Sequence, residues 1–359
     1  MIKLYDFFMV GFPYEADVLY IKLLEEYEHV ERFYIVETDA THQGNPKPYY
    51  WGEILAEPRF QSFRDKVIYE AVASAELGFV DAKTPADAQH NEHAQRDWLY
   101  RKHGDEIADD DLIWVSDADE LLGGEDIPKI LLAFESFERL RAVHVPLLRS
   151  VYDYAYVDEQ RGYWPTVALR KRAIDEFYGG SLSAVRATFC RQVRVPSIIQ
   201  TARPTRYHNE IVTDQVSEII GKALRQNTIY GSLRHIPNSN LAGLLVDPRL
   251  AGYYGWHFSC CYKNPIDMFR KGRALWHSHI GQPENIVETL LIMNLRLAGE
   301  GPIVPPKPFL KKWPLTARLF PLELVDNQAS YLTGARGKVA ALTEEQILEA
   351  LDGPNHSGN

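Results

Sequence analysis

Cysteine is scarce in this chain of 359 residues: only Cys190, Cys260 and Cys261. An odd number, two of them adjacent, excludes a disulfide framework and makes a reducing compartment the expectation. The paired-cysteine spacing of a structural zinc site is also missing. No run approaches the roughly 18 apolar residues that a membrane span requires. Met1 to Asp6 opens with no basic region leading into an apolar stretch, so the expectation is a cytoplasmic protein without a transmembrane segment. Positive charge is short as well. With 39 Lys and Arg against 49 Asp and Glu, the formal charge is −10, and a general nucleic-acid binder lacks the cationic field it needs. No internal repeat is visible.

What is present is a large globular protein, long enough for one big α/β domain or two smaller ones. Its 45% apolar and 25% charged content is ordinary. Aromatic residues are plentiful, with 20 Tyr and 7 Trp; such rings stack on sugar faces as readily as they fill cores.

The pattern along the chain is strand, helix, strand. Ile2 to Met9 reads as a strand, Glu15 to Tyr27 as a helix with Val18, Ile21, Leu23 and Leu24 on its apolar side, and Val30 to Val36 as a buried strand. Lys66 to Val72, Leu112 to Ser116 and Ala142 to Leu148 are further strands. His90 to His103, carrying Arg96, and Asp126 to Leu140 are helices. This rhythm predicts a parallel or mixed sheet with helices on both faces. From Tyr152 the pattern loosens into aromatic and Gly-rich segments, with a helix over Val212 to Arg225. Gly301 to Pro321 holds six prolines and reads as an extended arm, followed by a helix from Thr343 and a disordered tail from Asp352.

Three constellations carry chemistry. Leu112 to Val115 delivers Asp117, Asp119 and Glu120 to a strand's carboxyl end, where open α/β sheets bind ligands. In an extended segment Asp117 and Asp119 point the same way and converge on one cation, Mg²⁺ or Mn²⁺, shared with a diphosphate. The loop Glu37 to Pro48 follows another strand and offers Glu37, Thr41, Gly44 and Lys47 to a nucleotide. Gly255 to Tyr262 and Lys271 to His279 bring His257, Lys271, Arg273, His277 and His279 within about twenty residues of one another. His completes a metal's coordination or meets a phosphate oxygen, and Lys and Arg offset charge on a leaving group.

Taken in order, these stretches resemble glycosyltransferase family 17, whose best-known members add the bisecting N-acetylglucosamine to N-glycans. The likeness runs through Tyr5-Asp6, Phe33 to Glu37, Thr41 to Pro48, Ser116-Asp117-Ala118-Asp119-Glu120, Gly255-x-His257-x-Ser259-x-Cys261 and Lys271-x-Arg273-x-x-x-His277. It spans roughly residues 1 to 290 in colinear order. The resemblance implies a GT-A-like α/β fold, a UDP-sugar donor (UDP-N-acetylglucosamine foremost), a divalent cation and inversion at the anomeric carbon. The chain departs from the family in having Leu121-Leu122 where Ile-Pro is usual and His279 where an acid is expected, and the expectation is a protein without the membrane anchor of the animal enzymes.

The reading is therefore a metal-dependent inverting glycosyltransferase acting on a glycan or glycoconjugate. Residues 1–150 form the nucleotide-sugar half, 151–300 a looser acceptor half of the same domain, and 301–359 a proline-rich arm with a terminal helix and tail. The cation, Mn²⁺ or Mg²⁺, falls to Asp117, Asp119, His257 and His277. The donor falls to Glu37, Thr41, Gly44, Lys47, Arg96, Lys271 and Arg273. The base that inversion requires is one of Asp153, Glu210 and Asp214, with Glu120 beside the metal segment. Two rivals share these residues: a metal-dependent nucleotide phosphohydrolase and a non-catalytic glycan- or nucleotide-binding protein.

Overall fold

The computed structural model describes residues 1–136, 142–145, 147–151, 156–158, 166–190, 254–259, 261, 267, 270, 271, 274, 310–312, 321–327 and 345. The predicted helix over 212–225 and the tail from 352 lie outside these residues, as do most of the proline-rich arm and the helix begun at Thr343.

Apolar runs with a strand's alternation build the first sheet. Its strands are β1 (Leu4–Met9), β2 (Val30–Thr38), β3 (Val67–Val72), β4 (Leu112–Val115), β6 (Ala142–His144) and β9 (Val167–Arg170), in the order β3-β2-β1-β4-β9-β6. β1, β2, β3 and β4 run parallel, whereas β9 is antiparallel to both β4 and β6. The sheet is mixed, as the alternating pattern predicts. The second sheet is built from β5 (Glu120–Leu122), β7 (Leu148–Val151), β8 (Tyr156–Asp158), β10 (Gly255–Ser259) and β11 (Leu310–Lys312), in the order β11-β8-β7-β10-β5.

Helices cover both faces of the first sheet, which is why its strands are apolar on both sides. Leu4, Phe8, Phe33, Ile35, Leu112 and Trp114 pack toward α1 (Ala16–Glu26), the short α2 (Trp51–Ile54) and α4 (Ile127–Ser136). Tyr5, Phe7, Tyr34, Val36, Ile113 and Val115 pack toward α3 (Pro85–His103), α5 (Lys171–Tyr178) and α6 (Leu182–Cys190). The two-residue period of a strand thus sorts side chains between two cores. Among the described residues, no helix is long and apolar enough to cross a membrane.

Three expectations change. Ala142 to Leu148 is two strands in different sheets rather than one. The helix predicted from His90 begins at Pro85, because Thr84 and Asp87 form a capping box and proline suits the first turn. The short β5 is an addition to the predicted elements. It exists by pairing antiparallel with β10, more than a hundred residues away, with His257 opposite Glu120. Gly255 permits that approach, since a Cβ there would run into the Leu121 carbonyl oxygen.

Candidate active site

The end of β4 organises the site through the same alternation. Ser116 continues the face that carries Trp114, and Asp117 the face that carries Val115. Ser116 accordingly meets α1: Lys22 Nζ donates to Ser116 Oγ at 3.1 Å and to the Glu120 carbonyl at 2.6 Å, and pairs with Asp6 Oδ2 at 2.7 Å. Ser116 Oγ donates to Asp6 Oδ1 at 2.7 Å, and the Leu122 N–H donates to Glu26 Oε1 at 2.7 Å. The Asp6, Lys22 and Glu26 side chains are wholly buried. This network fixes the floor beneath the acidic turn.

Asp117 meets the opposite helices. Arg96 Nη1 from α3 donates to its Oδ1 at 2.9 Å, and Arg186 Nη2 from α6 donates to its Oδ2 at 2.6 Å. Burial opposes ionisation of Asp117, but the Arg186 and Arg96 guanidinium groups hold its carboxyl far below the usual carboxylate range. Arg186 also grips Glu120, Nη1 to Oε2 at 2.6 Å and Nη2 to Oε1 at 2.7 Å. Burial pushes the Glu120 carboxyl up, against the pull of Arg186.

The chain then turns, with the Glu120 N–H donating to the Asp117 carbonyl at 3.0 Å and the Asp117 N–H to Glu120 Oε2 at 2.9 Å. That turn corrects the expectation that Asp117 and Asp119 point one way from an extended segment. Asp117 faces the two arginines, and Asp119 faces the second sheet. There the Phe258 N–H donates to the Asp119 carbonyl at 2.9 Å, bringing His257 Nε2 within 3.7 Å of Asp119 Oδ1. Lys271 Nζ lies 3.0 Å from Asp119 Oδ2 and 3.4 Å from Glu15 Oε1. Burial opposes ionisation of Asp119, and Lys271 and His257 outweigh it to lower the carboxyl. Burial drives His257 down to about 3, so its imidazole is neutral at neutral pH.

The Glu37–Pro48 loop is tied together internally. Glu37 lies near the end of β2, wholly buried. It accepts from Lys47 Nζ at 2.8 Å, the Tyr50 and Trp51 N–H groups at 2.9 and 3.0 Å, and the Tyr69 hydroxyl at 2.6 Å. The Glu37 carboxylate thereby anchors the start of α2. Burial lowers the Lys47 ammonium. Thr41 Oγ1 accepts from the Asn45 N–H at 3.2 Å, and Gly44 sits at φ 86°, its missing Cβ leaving room for the Val80 carbonyl. The side chains of Glu37 and Lys47 are thus spent on the loop's own framework.

Of the residues read from the sequence, Asp119, His257 and Lys271 come together, and Asp117, Glu120 and Arg96 form the adjoining ion network. Arg273, His277, Asp153, Glu210 and Asp214 lie outside the described residues. Arg186 and Glu15 join the site without a place in the sequence reading. The signal for Arg186 is a serine-started apolar helix, Ser181 to Cys190, bearing one arginine among Leu182 and Val185. For Glu15 there is none, since its role depends on Lys271.

A divalent cation fits part of this set. Both Asp117 oxygens are taken by arginine, whereas Asp119 and His257 present one carboxylate and one neutral imidazole side by side. Among the described residues, no three His, Cys, Asp or Glu side chains could hold a metal on their own. Two protein donors would leave open positions for further oxygen ligands, and an imidazole would suit Mn²⁺ better than Mg²⁺.

Solved structures similar to this chain include mannose-6-phosphate isomerase from Helicobacter pylori, at 11% identity and TM-score 0.30, over 52% of this chain and 79% of that one. S. aureus TarS aligns at 10% identity and TM-score 0.27, over 49% of this chain and 30% of that one. Its 1–349 fragment aligns at 10% and 0.30, over 87% and 96%. Likeness at these scores identifies neither fold nor chemistry. No curated protein matches the chain. The profile of glycosyltransferase family 17, in contrast, matches residues 3–179, a span holding the first sheet, the acidic turn, Arg96 and the Glu37–Pro48 loop. Residues 3–179 therefore carry a glycosyltransferase family 17 match, and the chain is a glycosyltransferase acting between a sugar donor and an acceptor.

Proposed function

We propose that this GT-A-like domain is a metal-dependent inverting glycosyltransferase that moves N-acetylglucosamine from a UDP-sugar to a glycan acceptor. The observation that carries the reading is Asp119 held between His257 and Lys271 at the carboxyl end of the parallel strands, where such sheets bind nucleotides. Asp119 and His257 would hold Mn²⁺ or Mg²⁺, with the donor's diphosphate completing the coordination. The ion, when bound, supplies Lewis acidity toward the charge that develops on the departing UDP. Lys271 adds a second positive charge on the same side, and Arg273 and His277 follow it in sequence. Glu15 keeps Lys271 oriented at the mouth of β1, while the Thr41–Lys47 loop borders the donor. Arg96 holds Asp117 in the ion network beside the donor site. The acceptor hydroxyl must lose its proton as it attacks, and the base comes from Asp153, Glu210 or Asp214 of the acceptor half. Glu120, gripped by Arg186, serves the turn instead.

Asp119→Ala tests the assignment. Losing an interaction worth several kcal/mol in the transition state corresponds to roughly a 10³-fold fall in transfer, with circular dichroism and melting unchanged because Lys271 keeps Glu15 as a partner. Wild-type turnover in that variant overturns the reading. Phosphate release from many nucleotides without an acceptor would identify a phosphohydrolase instead.

A further inference from the structure

The acidic turn holds three carboxylates within four residues, yet they do not share one task. We propose that Arg186, with Arg96, is a positioning residue that turns Asp117 and Glu120 away from the donor and leaves Asp119 as the carboxylate presented to it. This inference rests on the donor site proposed above.

Four observations carry it. The Arg186 fork spans both acids, with contacts of 2.6 and 2.7 Å to Glu120 and 2.6 Å to Asp117 Oδ2. A planar guanidinium makes such paired contacts in fixed geometry; an ammonium cannot. Arg96 takes the remaining Asp117 oxygen and is itself paired with Glu92 Oε1 at 2.7 Å. The two helices are locked together at this level: Asp97, next to Arg96, accepts from the Ser181 hydroxyl and the Ser183 N–H, both at 2.8 Å, and Ser181 caps the start of α6 by accepting from the Ala184 N–H. Finally, the Asp117 side chain is 33% exposed, against 12% for Asp119. The more accessible carboxylate is thus the one both arginines restrain, so its restraint comes from charge pairing rather than from packing. Without Arg186, Asp117 would be the acid best placed to swing toward a cation arriving beside Asp119.

The test is Mn²⁺ binding measured by electron paramagnetic resonance in the presence of UDP, on the full chain. Asp117→Asn, a substitution at a part-exposed site, is expected to keep Mn²⁺ affinity within about threefold of the parent, while Asp119→Asn weakens it at least tenfold. Arg186→Lys is expected to tighten Mn²⁺ at least fivefold by releasing Asp117, to lower kcat, and to lose the tightening when Asp117→Asn is added; coupling of this kind is what a double-mutant cycle isolates. A merely structural role for Arg186 would lower melting and leave Mn²⁺ affinity at the parent value, which would overturn the inference. So would equal weakening by Asp117→Asn and Asp119→Asn, with the donor-site reading left standing. A parent that binds no Mn²⁺ with UDP overturns the donor-site reading and the division of labour together.

Discussion

Lys22 is the residue on which the floor of the site depends. It lies wholly buried between Asp6 and Glu26 and bonds Ser116 and the Glu120 carbonyl. Two buried carboxylates against one ammonium cannot all be charged cheaply, and burial pushes both carboxyls up, Glu26 well above the usual carboxylate range. A carboxyl raised in the folded state contributes stability that is fully present below its unfolded value of about 4.3 and is lost as pH rises through the folded value. Melting of the parent should therefore fall as pH rises through that raised value. Glu26→Gln mimics the protonated acid: it should fold normally and show a flatter pH profile in thermal melts. Lys22→Met, which strands Asp6 without its partner, should cost about 3–5 kcal/mol in denaturant titrations. Equal stability of the two variants would mean that the ammonium does not hold this cluster.

At the scale of elements, local signals are legible in the sequence and distant pairings are not. β1, β2, β3 and β4 announce themselves by apolar runs, and α1 by its periodicity, because each is specified by its own residues. β5 and β10 are not readable as strands. Glu120 to Leu122 is too short to carry a period, and its pairing depends on a glycine more than a hundred residues away. The joint between α5 and α6 is a further local device. Gly179 ends α5 at φ 58°, with open space where a Cβ would stand, so an alanine there meets backbone strain and no clash. Gly179→Ala should cost about 1–2 kcal/mol by chemical denaturation, and Gly179→Asn less, since asparagine tolerates the left-handed region. A neutral alanine variant would contradict this account of how α6 is launched.

For the molecule as a whole, the acidic segment can be read from sequence but its geometry cannot. Asp117, Asp119 and Glu120 are visible as acids after a strand, and His257 and Lys271 as basic groups far along the chain. Their separation into an arginine-bound pair and a histidine- and lysine-facing carboxylate needs α3, α6 and the second sheet in place. Arg186 shows the reason: its function is defined by two partners some seventy residues upstream, and nothing in its neighbours announces them. Glu37 and Lys47 show the converse, since residues assigned to a nucleotide also satisfy each other at 2.8 Å in the interior.

The most direct test of the central claim is a thermal-shift comparison of the parent and Asp119→Ala with UDP or UDP-N-acetylglucosamine, each with and without Mn²⁺. A ligand bound only by the folded state raises the melting temperature by mass action. The account predicts a rise in the parent that needs nucleotide and Mn²⁺ together and disappears in Asp119→Ala. The same rise in both proteins, or none with any nucleotide, would contradict it.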